Sequence, residues 1–172
     1  MYLTVFGATG GTGKEVVKQA LAAGHHVTAF ARTPANVPDN NHPNLHIVQG
    51  DVRDAQAVAQ AITAQTEAVI SVLGHRPGNQ QDDLLLQSIQ HIIAVMKTHN
   101  VNRLVALSGA GAWISDKDQP GLLEHAIRFL LKTFSGHVLS DSLAMAHYIM
   151  QTDLDWTIPR GPRIVNGEHT GT

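Results

Sequence analysis

Residues 3–24 read Leu-Thr-Val-Phe-Gly-Ala-Thr-Gly-Gly-Thr-Gly-Lys-Glu-Val-Val-Lys-Gln-Ala-Leu-Ala-Ala-Gly. Leu3 to Phe6 is an apolar run of strand length, and Gly7 to Gly13 is a turn carrying glycine at 7, 10, 11 and 13. From about Thr12 to Ala23, Val16, Val17, Ala20 and Leu21 recur at helical spacing on one face, and Gly24 supplies the stop. A strand entering a helix through a glycine-rich turn is half of a βαβ crossover. It predicts a parallel partner strand beyond the helix.

That partner is Val27 to Ala31. Two prolines, Asp39 and several asparagines between Asn36 and Asn44 mark a loop, and Leu45 to Val48 is a third strand ended by Gly50. Asp54 has the chemistry of an N-cap for a helix that turns Val58, Ala61 and Ile62 inward. Ala68 to Leu73 is apolar on both faces, as a central parallel strand is. The strongest helical period follows Gly74 to Gly78, with Leu85, Leu86, Ile89, Ile92, Ile93 and Met96. Arg103 to Leu107 is a fifth strand, and Ser108 to Gly121 reads as a loop. Two helical pieces, Leu122 to Phe134 and about Val138 to Gln151, break at Ser135-Gly136 before a sixth strand, Trp156 to Ile158. Alternation of this kind implies right-handed crossovers. The expected fold is α/β: a doubly wound, mostly parallel sheet of strand order 3-2-1-4-5-6 in a three-layer αβα sandwich, the Rossmann arrangement.

The chain has 172 residues, enough for one domain that buries roughly 70% of its unfolded surface. Its 43% hydrophobic content includes only 5% aromatic residues, so the core is aliphatic. Twelve basic residues against 14 acidic ones form no run or stripe, which argues against nucleic acid. No apolar stretch approaches a membrane span, and strand-like sequence from residue 2 leaves no room for a targeting peptide. Cysteine is absent, which excludes disulfides, thiolate catalysis and zinc-thiolate sites in these residues. The expectation is a cytoplasmic single domain over 1–172, monomeric or weakly homo-oligomeric.

The turn carries its own chemistry. Gly7, Gly10 and Gly13 follow the G-x-x-G-x-x-G variant of the dinucleotide fingerprint. Gly7 serves the tight turn, Gly10 the close approach of backbone to a pyrophosphate, and Gly13 the packing of helix on sheet. Thr9, Gly11 and Thr12 complete the loop, and the helix offers unpaired N–H groups to the phosphates. A P-loop would need glycine at position 8 and Ser or Thr at 15, where the chain has Ala8 and Glu15. Nineteen residues after Gly13 stands Arg32, followed by Thr33, where an NAD-selective protein places a carboxylate. A guanidinium there suits a 2′-phosphate, so NADP(H) is favoured over NAD(H). After the third strand, Asp51 can accept from an adenine amino group while Val52 packs on the ring.

These motifs, Gly7 to Gly13, Ala31-Arg32-Thr33, Gly50-Asp51-Val52 and Leu154-Asp155-Trp156-Thr157-Ile158, resemble the atypical short-chain dehydrogenases with an NAD(P)-binding domain. Among them the chain is most similar to the biliverdin-IXβ reductase/flavin reductase and NmrA-like group. The resemblance implies that Ser71-Val72-Leu73-Gly74-His75-Arg76 lies beside the nicotinamide, with Leu73, Gly74 and Arg76 at the cofactor. It also matches Asp141 to an aspartate common in that group, read as structural together with His147. The chain departs from the pattern at Pro159-Arg160-Gly161-Pro162, and the resemblance places a further strand and helix beyond the point where these residues stop.

Neither tyrosine starts a Tyr-x-x-x-Lys pair, since Phe6 follows Tyr2 by four and Thr152 follows Tyr148 by four. Ser108 lacks a nucleophile elbow, with Ala106 and Ala110 where glycines belong. The 11 histidines make no H-E-x-x-H pattern, and no metal site is expected. What remains is hydride transfer to a conjugated small-molecule acceptor such as a flavin, quinone or tetrapyrrole, chemistry that the cofactor carries. Ligands sit beyond the carboxyl ends of the strands, which brings His75, Arg76, Ser108 and Arg160 around the nicotinamide. Ser108 is expected to bond the substrate or the nicotinamide ribose, and Arg76 and Arg160 an anionic acceptor or the cofactor phosphates. His75 reads either as a proton donor or as a solvated loop histidine. Trp113 reads as a stacking surface for a planar acceptor or as packing beneath its loop. The rival function is an NmrA-like redox sensor that binds the dinucleotide without turnover; a nucleotide-sugar epimerase is disfavoured by the missing tyrosine and lysine.

Overall fold

The computed structural model describes residues 1–75, 83–109 and 137–161. Strands β1 (Tyr2–Phe6), β2 (His26–Ala31), β3 (Leu45–Gln49), β4 (Ala68–Ser71), β5 (Arg103–Ala106) and β7 (Asp155–Thr157) form a parallel sheet in the order β3-β2-β1-β4-β5-β7. Counted along the main sheet this is 3-2-1-4-5-6, the Rossmann order expected. Helices α1 (Gly11–Ala22), α2 (Ala55–Ala61), α3 (Leu84–Thr98) and α4 (137–150) flank it.

Alternation along the strands divides the core in two. Leu3 and Val5 of β1 and Val27, Ala29 and Ala31 of β2 pack with Val17, Ala20 and Leu21 of α1 on one face. Phe6 and Phe30 turn the other way, toward Val58 of α2, Ile89, Ile92, Ile93 and Met96 of α3, and Met145 and Ile149 of α4. The α3 side chains are essentially inaccessible to solvent, and each is worth roughly 1.5–3 kcal/mol in burial. From Leu3 to Phe6 central β1 is buried, so its one buried polar side chain needs a partner. Thr4 Oγ1 finds it in the Ala61 carbonyl at 3.0 Å.

Helix ends follow local chemistry. Gly24, at φ +79°, closes α1 with bonds from its own N–H to the Leu21 carbonyl and from His25 N–H to that of Ala20. The Asp54 side chain caps α2 as expected, accepting from Gln56 N–H at 2.9 Å and Ala57 N–H at 3.3 Å.

Two expectations need correction. The fourth strand ends at Ser71 rather than Leu73, because Gly7 bends β1 away and leaves Val72 only a last bond, to the Phe6 carbonyl. Ser108 does not open a loop: β6 (Ser108–Gly109) pairs in parallel with β8 (Arg160–Gly161) as a separate two-stranded sheet. Pro159 has no N–H to continue the β7 ladder. The pairing resumes one step on, where Ser108 N–H donates to the Pro159 carbonyl at 3.0 Å. The helical reading of Leu122 to Phe134 lies outside the described residues.

Candidate functional site

Register decides where the site forms. Phe6 aligns with Phe30 and Ser71, Phe30 with Val48, and Ser71 with Ala106, so the carboxyl ends of five strands stand in one row. The residues that leave those ends line a groove of about 480 Å³. Its middle is Gly7, Thr9, Gly10, Gly11 and Thr12; its β2/β3 end includes Phe30, Arg32, Gly50, Asp51, Val52 and Arg53; its β4/β5 end includes Leu73, Gly74, His75, Leu84 and Leu107.

Sterics require glycine at two points of the middle. Gly7 sits at φ +85°, and a Cβ on it would stand 2.7 Å from the Val72 carbonyl oxygen. A Cβ on Gly13 would stand 2.0 Å from the Gly7 carbonyl oxygen, so the first turn of α1 lies directly on the loop. At Gly11 and Gly74 the same Cβ meets nothing within 4 Å. Packing among the described residues therefore leaves these two positions open. The α1 N-cap, Gly10, makes no side-chain bond, and no acidic residue stands in the first turn. The N–H groups and positive dipole end of α1 thus face the groove without an internal anion.

The β2/β3 end is held by short polar links. Gly50 N–H donates to the Ala31 carbonyl at 3.2 Å. Asp51 Oδ1 accepts from Arg53 N–H at 3.0 Å and lies 3.8 Å from the Arg53 guanidinium. His91 of α3 donates from Nδ1 to the Val52 carbonyl at 3.0 Å, pinning the turn from below. Arg32 is exposed, with its backbone carbonyl taken by the Gln49 amide at 3.3 Å.

At the β4/β5 end, His75 is not a solvated loop residue. Its side chain is only 4% exposed, and Nε2 lies 2.8 Å from Asp141 Oδ2 of α4. Asp141 is 2% exposed and also accepts from Leu85 N–H at 2.7 Å and Leu86 N–H at 2.9 Å, the first turn of α3. One carboxylate of α4 thus joins the segment that follows β4 to the start of α3.

Of the residues singled out from sequence, Gly7, Thr9, Gly10, Gly11, Thr12, Arg32, Asp51, Val52, Leu73, Gly74 and His75 share the groove. Gly13 lies beneath it, and Thr33, Ser108 and Arg160 are not among its lining residues. Ser108 is buried in the β6/β8 pairing, and its Oγ has no hydrogen-bond partner among the described residues. Arg160 opposite it is exposed. Arg76 and Trp113 lie outside the described residues. Sequence reasoning named Gly50 only as a strand end and motif residue, missed Arg53 and His91, and left Asp141 without a partner. Gly50 had a detectable signal, since the residue after a strand often turns sharply; a Cβ there would stand 2.6 Å from the Phe30 ring. Among the described residues no three His, Asp or Glu side chains cluster as metal ligands, and no helix is long and apolar enough to cross a membrane.

Comparison with known proteins places this geometry. Residues 7–172 match a family described as NAD(P)H-binding. YwnB of Bacillus subtilis is 29% identical over 121 residues, covering 68% of this chain and 51% of that protein. A short-chain dehydrogenase/reductase of Veillonella parvula, solved in complex with NADP, superimposes with a TM-score of 0.72 at 19% identity, over 92% of this chain and 68% of that one. ChuY, an anaerobillin reductase from Escherichia coli O157:H7, gives a TM-score of 0.73 at 19% identity, over 93% and 72% of the two chains. At such identities the likeness is one of fold. The chain spans 51% to 60% of the length of two curated relatives it matches.

Proposed function

The chain belongs to the family of NAD(P)H-binding proteins, and from that premise we propose that it is an NAD(P)H-dependent reductase, favouring NADPH, of a conjugated acceptor such as a flavin, quinone or tetrapyrrole. The observation that carries the reading is the groove itself. Its middle is backbone and glycine at an uncapped helix N-terminus, which suits a pyrophosphate. Gly7, Gly10, Gly11 and Thr12 would hold that group. Asp51 and Val52 suit an adenine at the β2/β3 end, and Arg32 a 2′-phosphate. Leu73, Gly74 and His75 would flank the nicotinamide at the other end. The bound dinucleotide supplies hydride; the protein orients it and excludes competing reactions. Ser108 and Arg160, one step beyond Leu107 and outside the groove lining, belong to the acceptor's side of this reading. The anaerobillin reductase among the structural neighbours is in keeping with a reductase on this fold.

The test is NADPH oxidation followed spectrophotometrically against FMN, riboflavin, menadione and biliverdin. Turnover with any of them is the expected result. Tight NADPH binding without oxidation across the panel would turn the assignment to a dinucleotide sensor. Cofactor choice is tested separately by Arg32→Glu. It should weaken NADPH binding roughly 10-fold or more, the worth of one charged hydrogen bond, and leave NADH within about threefold. Equal losses for the two dinucleotides would remove Arg32 from the reading.

A further inference from the structure

The geometry points to Asp141 as a positioning residue for His75, and to the pair as the proton source for the reduced acceptor, an inference that rests on the reductase reading above. Asp141 lies on α4, yet its carboxylate leaves that helix to cap α3. It accepts from Leu85 N–H with Oδ2 and from Leu86 N–H with Oδ1. Capping alone does not call for it, because α3 has an acid of its own at the N-cap position. Asp83 stands there and makes no side-chain cap bond. What Asp141 adds is the third contact, 2.8 Å to His75 Nε2.

That contact settles the imidazole. Both carboxylate oxygens already accept from backbone N–H groups, so the ring nitrogen is the donor and neutral His75 carries its hydrogen on Nε2. Nδ1 is then the atom whose protonation changes the charge of the ring. His75 lines the β4/β5 end of the groove beside Gly74, Leu84 and Leu107, where the acceptor has to lie to meet the nicotinamide. With both side chains at most 4% exposed, the ring is held by packing and by the carboxylate rather than by water.

The step balances without a further reagent. A dihydronicotinamide held in the groove would supply hydride, two electrons and one hydrogen, which would leave the acceptor with one negative charge and one proton short. His75, as imidazolium, breaks its Nδ1–H bond and gives that proton to a nitrogen or oxygen of the acceptor, where a new N–H or O–H bond forms. The neutral ring keeps its Nε2–H on Asp141; because Nδ1 is buried, the groups that cover it must shift for it to meet the acceptor and to take its next proton from water.

Ring-nitrogen NMR of the full chain, with no dinucleotide or acceptor present, tests the positioning. Wild type should show neutral His75 as one tautomer with hydrogen on Nε2, and Asp141→Asn should show a mixture. Identical His75 signals in the two proteins would overturn the role of Asp141. Steady-state kinetics with NADPH and whichever of FMN, menadione or biliverdin is turned over tests the proton. His75→Gln should lower kcat on the order of 10²-fold. The same variant should leave the NADPH Kd within about twofold, the split expected when a group acts on the reacting centre and not on binding. It keeps both α3 bonds of Asp141 and so carries the kinetic arm even if Asp141→Asn does not fold. Undiminished kcat in His75→Gln overturns the proton role and leaves the reductase reading standing. No NADPH oxidation by wild type with any acceptor overturns both.

Discussion

Helices α1 and α3 begin at the same edge of the sheet, and they begin in opposite ways. At α1 the N-cap is a glycine, the first turn holds no acid, and no side chain among the described residues bonds the first N–H groups. At α3 two of those N–H groups are bonded to a buried carboxylate sent from another helix. Both helices pack against the core, so burial does not explain the contrast. The difference lies in what each terminus is for. A terminus satisfied from inside the chain is structural, and one left open on a groove is available to an anion from outside. Between these extremes stands α2, capped by its own exposed Asp54.

The open terminus is nevertheless closed sterically, and this is where the largest effect is expected. In Gly13→Ala the new methyl would fall 2.0 Å from the Gly7 carbonyl oxygen and 2.9 Å from the Ala8 Cα, both backbone atoms with little room to yield. Alanine's higher helix propensity offsets under about 1 kcal/mol of that. A net loss of about 4 kcal/mol, or failure to fold, should appear in urea denaturation, with NADPH binding lost as well. A loss below about 1 kcal/mol would mean that loop and helix are not in this contact.

The closed terminus comes next. Asp141→Ala removes the acceptor of Leu85 N–H, Leu86 N–H and His75 Nε2–H together, and a buried polar group that loses its partner costs roughly 1–3 kcal/mol. Water entering the gap recovers part of this, so about 3 kcal/mol is the expected loss in a denaturation midpoint. Asp54→Ala is the control on an exposed cap and should cost about 1 kcal/mol, with no change in NADPH affinity. Equal losses for the two aspartates would erase the distinction between a local and a reaching cap.

The same contrast marks what could be read without coordinates. Strand, glycine turn and helix at residues 3–24 are contiguous, and each is set by neighbours within a few positions, so their order and the Arg32 strand end were legible. Asp54 was legible as a cap for the same reason: its acceptors are two and three residues away. Asp141 was not, because its partners stand 55, 56 and 66 residues away, and nothing in its own surroundings on α4 announces them. The bond from His91 to the Val52 carbonyl spans 39 residues and was hidden likewise. Ser108 and Arg160 show a different limit. The rule that ligands bind beyond strand ends names the segments that follow the strands but not the register within them. That register is reset by one imino acid, Pro159, which turns both residues into their own small ladder.

The smallest effect on stability is the most informative, because its sign separates the two kinds of terminus. Gly10 is at φ −74° and ψ 167°, backbone that any residue adopts as an N-cap, and a Cβ there meets only the Gly7 carbonyl oxygen, at 3.4 Å. In Gly10→Asp a carboxylate can reach the open N–H groups of α1 as Asp54 reaches those of α2. Cap and helix dipole together should raise stability by a few tenths to about 1 kcal/mol. The same carboxylate would occupy the place of the pyrophosphate and repel it, so NADPH affinity should fall by roughly 10²-fold or more, since one anion replaces another. A protein made slightly more stable and unable to bind is the outcome expected only if α1 is left uncapped for a ligand. If Gly10→Asp loses stability and keeps its affinity, the open terminus is an ordinary glycine turn, and the contrast with α3 has no functional meaning.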